Sequence, residues 1–506
     1  MNAKSKAAPF KQKQFCPDYL AYSQTPHAPF SGGSYNLSSM RPEPRCRTFH
    51  SEAVEETITR VAALIQDPDL KRLFINAYPN TLDTAIKWHG YADNSAGEEL
   101  TFIITGDINA MWLRDSSNQL QSYLPLLNAS DDFNSLASLY RGVINLQARY
   151  LLINPYCNSF QPPTESRIMP STNDAAHNDK VYPPYDKNQV FECKYELDSL
   201  AAFLEISANY YNATNDAEFF KKYQWTKAVE SILEVAQNMS VSTYQENGKP
   251  NTPSYTFTRE TDRATETVPN DGIGNPFNGD SGLVRSFFRP SDDAAIFQGL
   301  IPSNMMFARY LESCADLAAA IDEPSLAAHM SDLASRLRTA VTKHGIVRTE
   351  SNKTVYAYEV DGYSSENIMD DANIPSLLAA PFFGYLKAED PIYHATRKLA
   401  LSDENPYFMR GPYMASIGGP HDGPGKAWPM ASIVRVLTSI SQDEIFQQLR
   451  EIVTTTDGLG LIHESINTFD PSDWTRPWFS WANGLFGQMI VELANNSPDV
   501  LQTTYQ

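Results

Sequence analysis

Carboxylic acids beside aromatic rings recur along this chain, and the segment YELDSLAAFLEI sets two of them, Glu196 and Asp198, at the start of an apolar-periodic run. An acid in a first helical turn complements the helix dipole by less than about 1 kcal/mol and needs no further role. The other reading projects Asp198 into a pocket as a general acid, with Tyr195, Leu197 and Phe203 raising its pKa by excluding water. A second acid, Glu464, stands in LIHESINTFDPSDWTRPWFSWANG beside His463 and ahead of Trp474, Trp478, Phe479 and Trp481. A single glutamate is more often a surface residue, but this company belongs to a binding loop. The His-Glu pair is not a zinc motif, because no HExxH pattern or second spaced histidine follows.

TGDINAMWLRDSSNQL is the densest stretch, with Asp107, Trp112, Arg114 and Asp115 inside nine residues. It reads either as a capped helix start, Ser116 or Asp115 being the N-cap of a helix with an Arg–Asp ion pair, or as a ligand loop. In the second case Arg114 offers a rigid fork of donors and Asp115 accepts from hydroxyl groups. GGPHDGPGKAWPM presents His421, Asp422 and Trp428 on a loop whose glycines allow close backbone approach to a ligand, or merely tight packing. No strand precedes its glycines, so they are no dinucleotide fingerprint. Asp292–Asp293 and Asp370–Asp371 are expected to cap helices at DDAAIF and DDANIPSLL, a placement compatible with ligand contact; binding a cation is the other use of such pairs.

The elements that must hold these residues are mostly helical. Apolar residues recur at three- and four-residue spacing in ten segments, from EAVEETITRVAALI to WANGLFGQMIVELAN, which predicts ten to twelve helices. Strand-like pieces are short: LTFIITG, HGIVRT and TVYAYEV. The class is therefore mainly α, with helices alternating with long loops rich in acids and aromatics, as in a closed ring of helix pairs bearing one face of loops. Such loops suit a sugar, whose CH faces stack on rings while its hydroxyls bond to carboxylates and amides. Residues 1–50 lack any period and are expected to form an extended N-terminal arm; residues 51–506 are expected to form a single domain.

The 506 residues are 42% hydrophobic, which indicates a folded core, and the formal charge of −20 weighs against nucleic acid or an anionic membrane as partner. No apolar run is long enough to span a bilayer, and the first twenty residues lack the apolar stretch of a signal peptide. An intracellular protein and a secreted one whose signal has been removed both remain open; sequons at Asn36, Asn128, Asn212, Asn238, Asn352 and Asn495 lean toward secretion. Among Cys16, Cys46, Cys157, Cys193 and Cys314 there is no CxxC pair, and Cys16 and Cys46 either form a disulfide or stay as two thiols.

TGDINAMWLRDS, FECKYELDSL, RPSDDA, ENIMDDANIPSLL, GPGKAWPM and HESIN…DWTRPWFSWAN, in this order, resemble glycoside hydrolase family 125, the exo-α-1,6-mannosidases. Asn109 and the arm bearing Cys16 and Cys46 are similar to the fungal branch. The resemblance implies an (α/α)6 barrel and an inverting mechanism with no metal or cofactor. Its implied partner is a mannose-containing glycan or oligosaccharide, not nucleic acid or membrane. It maps the general acid onto Asp198 and the general base onto Glu464, with Ile466 where the family commonly has phenylalanine. It carries over Asp107, Trp112, Arg114 and Asp115 as sugar ligands and His421 and Trp428 as pocket lining. Inverting acetal cleavage needs this pair: an acid for the leaving oxygen and a carboxylate to activate water on the other ring face. Two rival uses of such a barrel are a sugar epimerase, wanting two histidines near the sugar, and an inactive carbohydrate-binding protein. Only His421 and His463 lie in motif loops, and both mapped carboxylates are present, so each rival fits less well.

Overall fold

Leucine, isoleucine and alanine at helical spacing wind the chain into twelve helices of nine residues or more, in a computed structural model that describes residues 16–505. They are α1 (Glu52–Leu64), α2 (Pro68–Ala77), α3 (Leu113–Gln121), α4 (Leu136–Ile153), α5 (Leu197–Thr214) and α6 (Trp225–Met239), followed by α7 (Ile301–Ala320), α8 (Pro324–His344), α9 (Pro391–Ala400), α10 (Pro429–Leu437), α11 (Gln442–Thr454) and α12 (Ser480–Asn496). All ten periodic segments are helical, with α2 and α3 in addition.

The helices sort into two layers by how they bury. In α8 the buried positions Leu326, Met330, Leu333, Leu337 and Val341 form one stripe, as expected of a helix with a solvent face. Every residue of α3 is buried, although its sequence LRDSSNQLQ is polar. Hydrogen bonds make that possible: the Gln147 amide donates to Leu113 O at 3.0 Å and Ser116 Oγ at 2.9 Å, and Gln119 donates to Ile104 O at 3.0 Å. Polar α3 packs on α5, α5 on α7, α10 on α12, and α12 back on α3, forming the inner ring of an (α/α)6 barrel. Outer α2, α4, α6, α9 and α11 each precede an inner partner in the chain. After α8 the inner place in that alternation falls to residues 373–383, a set of turns burying Leu377, Leu378 and Ala379. Pro375 and Pro381 deny that segment a regular helix.

The loops entering α3, α5, α10 and α12 end in Trp112, Glu196, Trp428 and Phe479 as N-cap residues. Short antiparallel sheets tie these loops together. Met111–Trp112 pairs with Ser159–Phe160, which pairs with Val190–Glu192; Lys426–Ala427 pairs with Ile466–Asn467, which pairs with Asp470–Trp474. Two expectations need correction. DDAAIF is a bend leading to a strand at Gly299–Leu300, and DDANIPSLL enters turns, so neither Asp pair caps a helix. Asp370 instead accepts from the backbone N–H groups of Leu377 and Leu378, at 2.9 and 2.8 Å. The first helical residue after the MW pair is Leu113, so Asp115 lies inside the first turn and neither it nor Ser116 is the N-cap.

Residues 16–50 carry only the short helix Tyr19–Tyr22 and a 3-10 turn at Pro44–Cys46, yet they bury Leu37 and Met40 completely. Polar groups of α2 hold this segment: Asp69 accepts from Tyr35 N–H at 2.9 Å, and Asn76 accepts from Met40 N–H at 2.9 Å. Arg41 reaches Asp83 and Glu55, each at 2.7 Å. Cys16 and Cys46 form a disulfide, and Cys157 and Cys193 form a second that the spacing did not suggest. Among the described residues no helix is long and apolar enough to cross a membrane.

Candidate active site

At the N-terminal ends of the inner helices lies a pocket of about 220 Å³. Trp112, Arg114, Asp115, His421, Trp428 and Glu464 line it, six of the eight residues singled out from the sequence. Among the lining residues the indole N–H groups of Trp112 and Trp428 and the Arg114 Nε–H are buried and have no protein hydrogen-bond partner.

Asp198 does not reach the pocket. Its exposure is 0%, and its carboxylate is used up beneath the lining, with Oδ2 accepting from Arg114 Nη1 at 3.1 Å and Oδ1 from Ser303 Oγ at 3.3 Å. The structure places Asp198 in the first turn of α5, paired with Arg114 and outside the pocket lining. The carboxyl that lines the pocket instead is Asp292, from the motif RPSDDA. Its φ of +67° is the left-handed conformation, which Asp adopts more readily than most residues. Lys194 Nζ donates to its carbonyl at 3.0 Å, and Asn158 Nδ2 donates to its Oδ1 at 3.2 Å.

Arg114 organises this side. Fully buried, it pairs with Glu196 at 2.7 Å, Asp198 at 3.1 Å and Asp115 at 3.3 Å, and its guanidinium stands 5.9 Å from the Trp481 ring centroid. Burial raises the pKa values of Glu196, Asp198 and Asp115, against the opposing charge of Arg114. Burial also acts to raise Asp292, but Lys194, Arg114 and a hydrogen bond from Glu196 overcome it and hold Asp292 well below the usual carboxylate range.

Arg476, also left-handed with φ +56°, organises the other side. It donates from Nε to Asp107 at 2.8 Å, from Nη2 to Thr105 Oγ1 at 3.1 Å and from Nη1 to Glu464 at 3.4 Å. Asp107 is therefore an anchor for Arg476 and is not part of the pocket wall. Glu464 Oε2 accepts from Thr475 Oγ1 at 3.2 Å, and burial raises its pKa while Arg476 opposes the rise. His463 stacks on Trp474 at 4.1 Å and places Nδ1 3.0 Å from Arg476 O; burial holds it down to about 4, so it is a neutral strut. His421, Asp422 and Glu464 bring ligand atoms within 4.8 Å of one another. Burial favours a neutral His421, but Asp293 and Glu464 outweigh it and raise its pKa.

Asp292 and Arg476 are the residues that sequence reasoning left out. Asp292 carried a signal, since RPSDDA was one of the six motifs, but a pair of acids before small residues looks like a helix cap. Nothing in local sequence marks Arg476 as bridging to Asp107, 369 positions away.

Over residues 67–491 the chain matches the family described as metal-independent α-mannosidase (GH125). It is 46% identical over 489 residues to the Schizosaccharomyces pombe protein called meiotically up-regulated gene 157 protein, covering 96% of this chain and 94% of that one. Among solved structures, a Streptococcus pneumoniae metal-independent α-mannosidase in a non-productive substrate complex with α-1,6-mannobiose is similar at 33% identity. The TM-score is 0.78, over 89% of this chain and all of the other.

Proposed function

This chain belongs to glycoside hydrolase family 125, the metal-independent α-mannosidases, and we propose on that footing that it removes non-reducing terminal α-1,6-linked mannose with inversion. The α-1,6-mannobiose held by the Streptococcus pneumoniae relative supports the linkage. What carries the mechanism is the pair of carboxyls, Asp292 and Glu464, that line one pocket under different electrostatic control.

In this reading Asp292 protonates the glycosidic oxygen with a proton it must receive from a neighbouring buried acid, because its own carboxyl is held low. Glu464 takes a proton from a water whose oxygen bonds to the anomeric carbon on the opposite face. The C–O bond breaks with its electron pair on the leaving oxygen. Asp115 also faces the pocket, but its ion pair with Arg114 suits it to holding sugar hydroxyls. Arg114 fixes the ring from the same side, and Trp112 and Trp428 line the pocket with their indoles. Glu464 receives its orientation from Thr475 and Arg476.

Proton NMR of the first product tests this. β-Mannose released from α-1,6-mannobiose, faster than from the α-1,2 and α-1,3 isomers and undiminished by EDTA, is the expected result. Initial α-mannose would mean a retaining double displacement and would overturn Glu464 as base.

A further inference from the structure

Glu196, the N-cap residue of α5, is 1% exposed and stands directly behind Asp292. One amide bridges the two: Asn158 Nδ2 lies 3.2 Å from Glu196 Oε1 and 3.2 Å from Asp292 Oδ1. That shared amide brings the two carboxyl groups face to face. Ionised carboxylates are acceptors only, so such a contact needs one proton between them. The remaining partners of Glu196 are Arg114 Nη1 at 2.7 Å and Ser199 Oγ at 3.0 Å, both donors.

Charge counting around the pair leads to the same result. Facing Glu196 are Arg114 from α3, Asp198 from its own helix, Lys194 and Asp292 from loops, and the Tyr255 hydroxyl. Facing Asp292 are Lys194, Arg114, Glu196, His421 and Asp115. Four acids, Glu196, Asp198, Asp115 and Asp292, thus surround Arg114 and Lys194, with Arg476 also acting on Asp115 and Glu192 also drawing on Lys194. Buried carboxyls in excess of their counter-ions retain protons instead of ionising.

We propose that Glu196 and Asp292 hold one proton in common, and that Glu196 is a positioning residue keeping it at the acid. This rests on the reading of Asp292 as the general acid. At rest the proton lies on Glu196, which donates to ionised Asp292. In the reactive form it has moved to Asp292, leaving Glu196 ionised against Arg114. Asp292 then gives the proton to the glycosidic oxygen as the C–O bond breaks. Both carboxyls are now ionised, against Arg114 and Lys194. A proton from bulk water restores the pair, while Glu464 releases to water the one it took from the nucleophile. Asn158 holds the two carboxyls on one amide N–H, and the Cys157–Cys193 disulfide clamps Asn158 beside Lys194.

Glu196→Gln keeps the shape and removes the proton. On α-1,6-mannobiose its kcat should fall by roughly 10²-fold or more, the worth of general acid catalysis. On α-mannosyl fluoride, whose leaving group needs no proton, the loss should be at least ten times smaller, and the alkaline limb of kcat on mannobiose should move to lower pH. Equal losses on both substrates with an unmoved limb would make Glu196 merely structural and overturn the proposal. Should that variant not fold, infrared difference spectra of wild type minus Asp292→Asn decide the matter. A protonated-carboxyl band at pH 7 is expected in wild type and lost in the variant; its absence from wild type overturns the shared proton. Failure of the underlying reading is separately visible: Asp292→Asn would then keep wild-type turnover of mannobiose.

Discussion

Arg114 and Arg476 each stand among acids at the pocket, one on the first turn of an inner helix, the other on a loop in left-handed conformation. Arg114 pairs with three carboxyls, and Asp292 adds a fourth nearby. Arg476 pairs with two, Asp107 and Glu464, and Asp422 and His421 also face Glu464 with opposing effects on it. In the first group burial raises Glu196, Asp198 and Asp115 while Asp292 alone is held low; in the second, burial raises the pocket acid Glu464 itself against Arg476. In the proposed mechanism Asp292 therefore draws the proton it gives from its neighbour Glu196, and Glu464 relies on Arg476 to stay ionised. The difference lies in the count of partners, and no property of either acid by itself reveals it.

The sharpest way to break the comparison is to remove each pocket carboxyl. Asp292→Asn and Glu464→Gln should each lower kcat on α-1,6-mannobiose by roughly 10²–10⁴-fold. On α-mannosyl fluoride Asp292→Asn should recover much of its loss, and Glu464→Gln should not. Matching behaviour of the two on the fluoride would erase the distinction between donor and acceptor sides.

A smaller effect is expected of Arg476→Met. Losing the charged bond to Glu464 should cost about 1–3 kcal/mol in kcat/KM. Glu464 must be ionised to act, and burial has raised its pKa, so the acid limb of wild-type kcat/KM should lie above the ordinary glutamate value of roughly 4.3. Arg476 lowers that pKa, so its removal should move the limb to still higher pH. A limb that stays in place would detach Arg476 from the base.

Asp198→Asn separates structure from chemistry on the Arg114 side. Because Asp198 lies behind the lining, mannobiose turnover should fall at least tenfold less than in Asp292→Asn, while thermal unfolding shows a loss of about 1–3 kcal/mol from the weakened buried pair. Turnover as low as that of Asp292→Asn would restore Asp198 to the reaction. Smallest in its effect on catalysis is Cys46→Ser. Opening the Cys16–Cys46 link should cost about 2–4 kcal/mol of stability and leave kcat unchanged. Cys193→Ser, beside Lys194 and one bond from the Asn158 anchor, should lower kcat as well.

The sequence alone determined most of the scaffold, because burying an apolar stripe at 3.6-residue spacing is a local demand that ten segments state openly. It also carried Glu464, Arg114, Asp115, Trp112, Trp428 and His421 into the pocket, since their motifs survive as contiguous loops at the ends of inner helices. Helix α3 escaped that logic: its burial rests on Gln147 and other partners from elsewhere, so a polar sequence became an inner helix. Only the tertiary structure decided between Asp198 and Asp292. Both are acids in strong motifs, and a difference in helix phase turns one toward the ring while a left-handed bend turns the other toward the ligand. The partition of protons likewise depends on Asn158, Lys194, Glu196 and Asp292 meeting across more than a hundred residues, through space that no local pattern encodes.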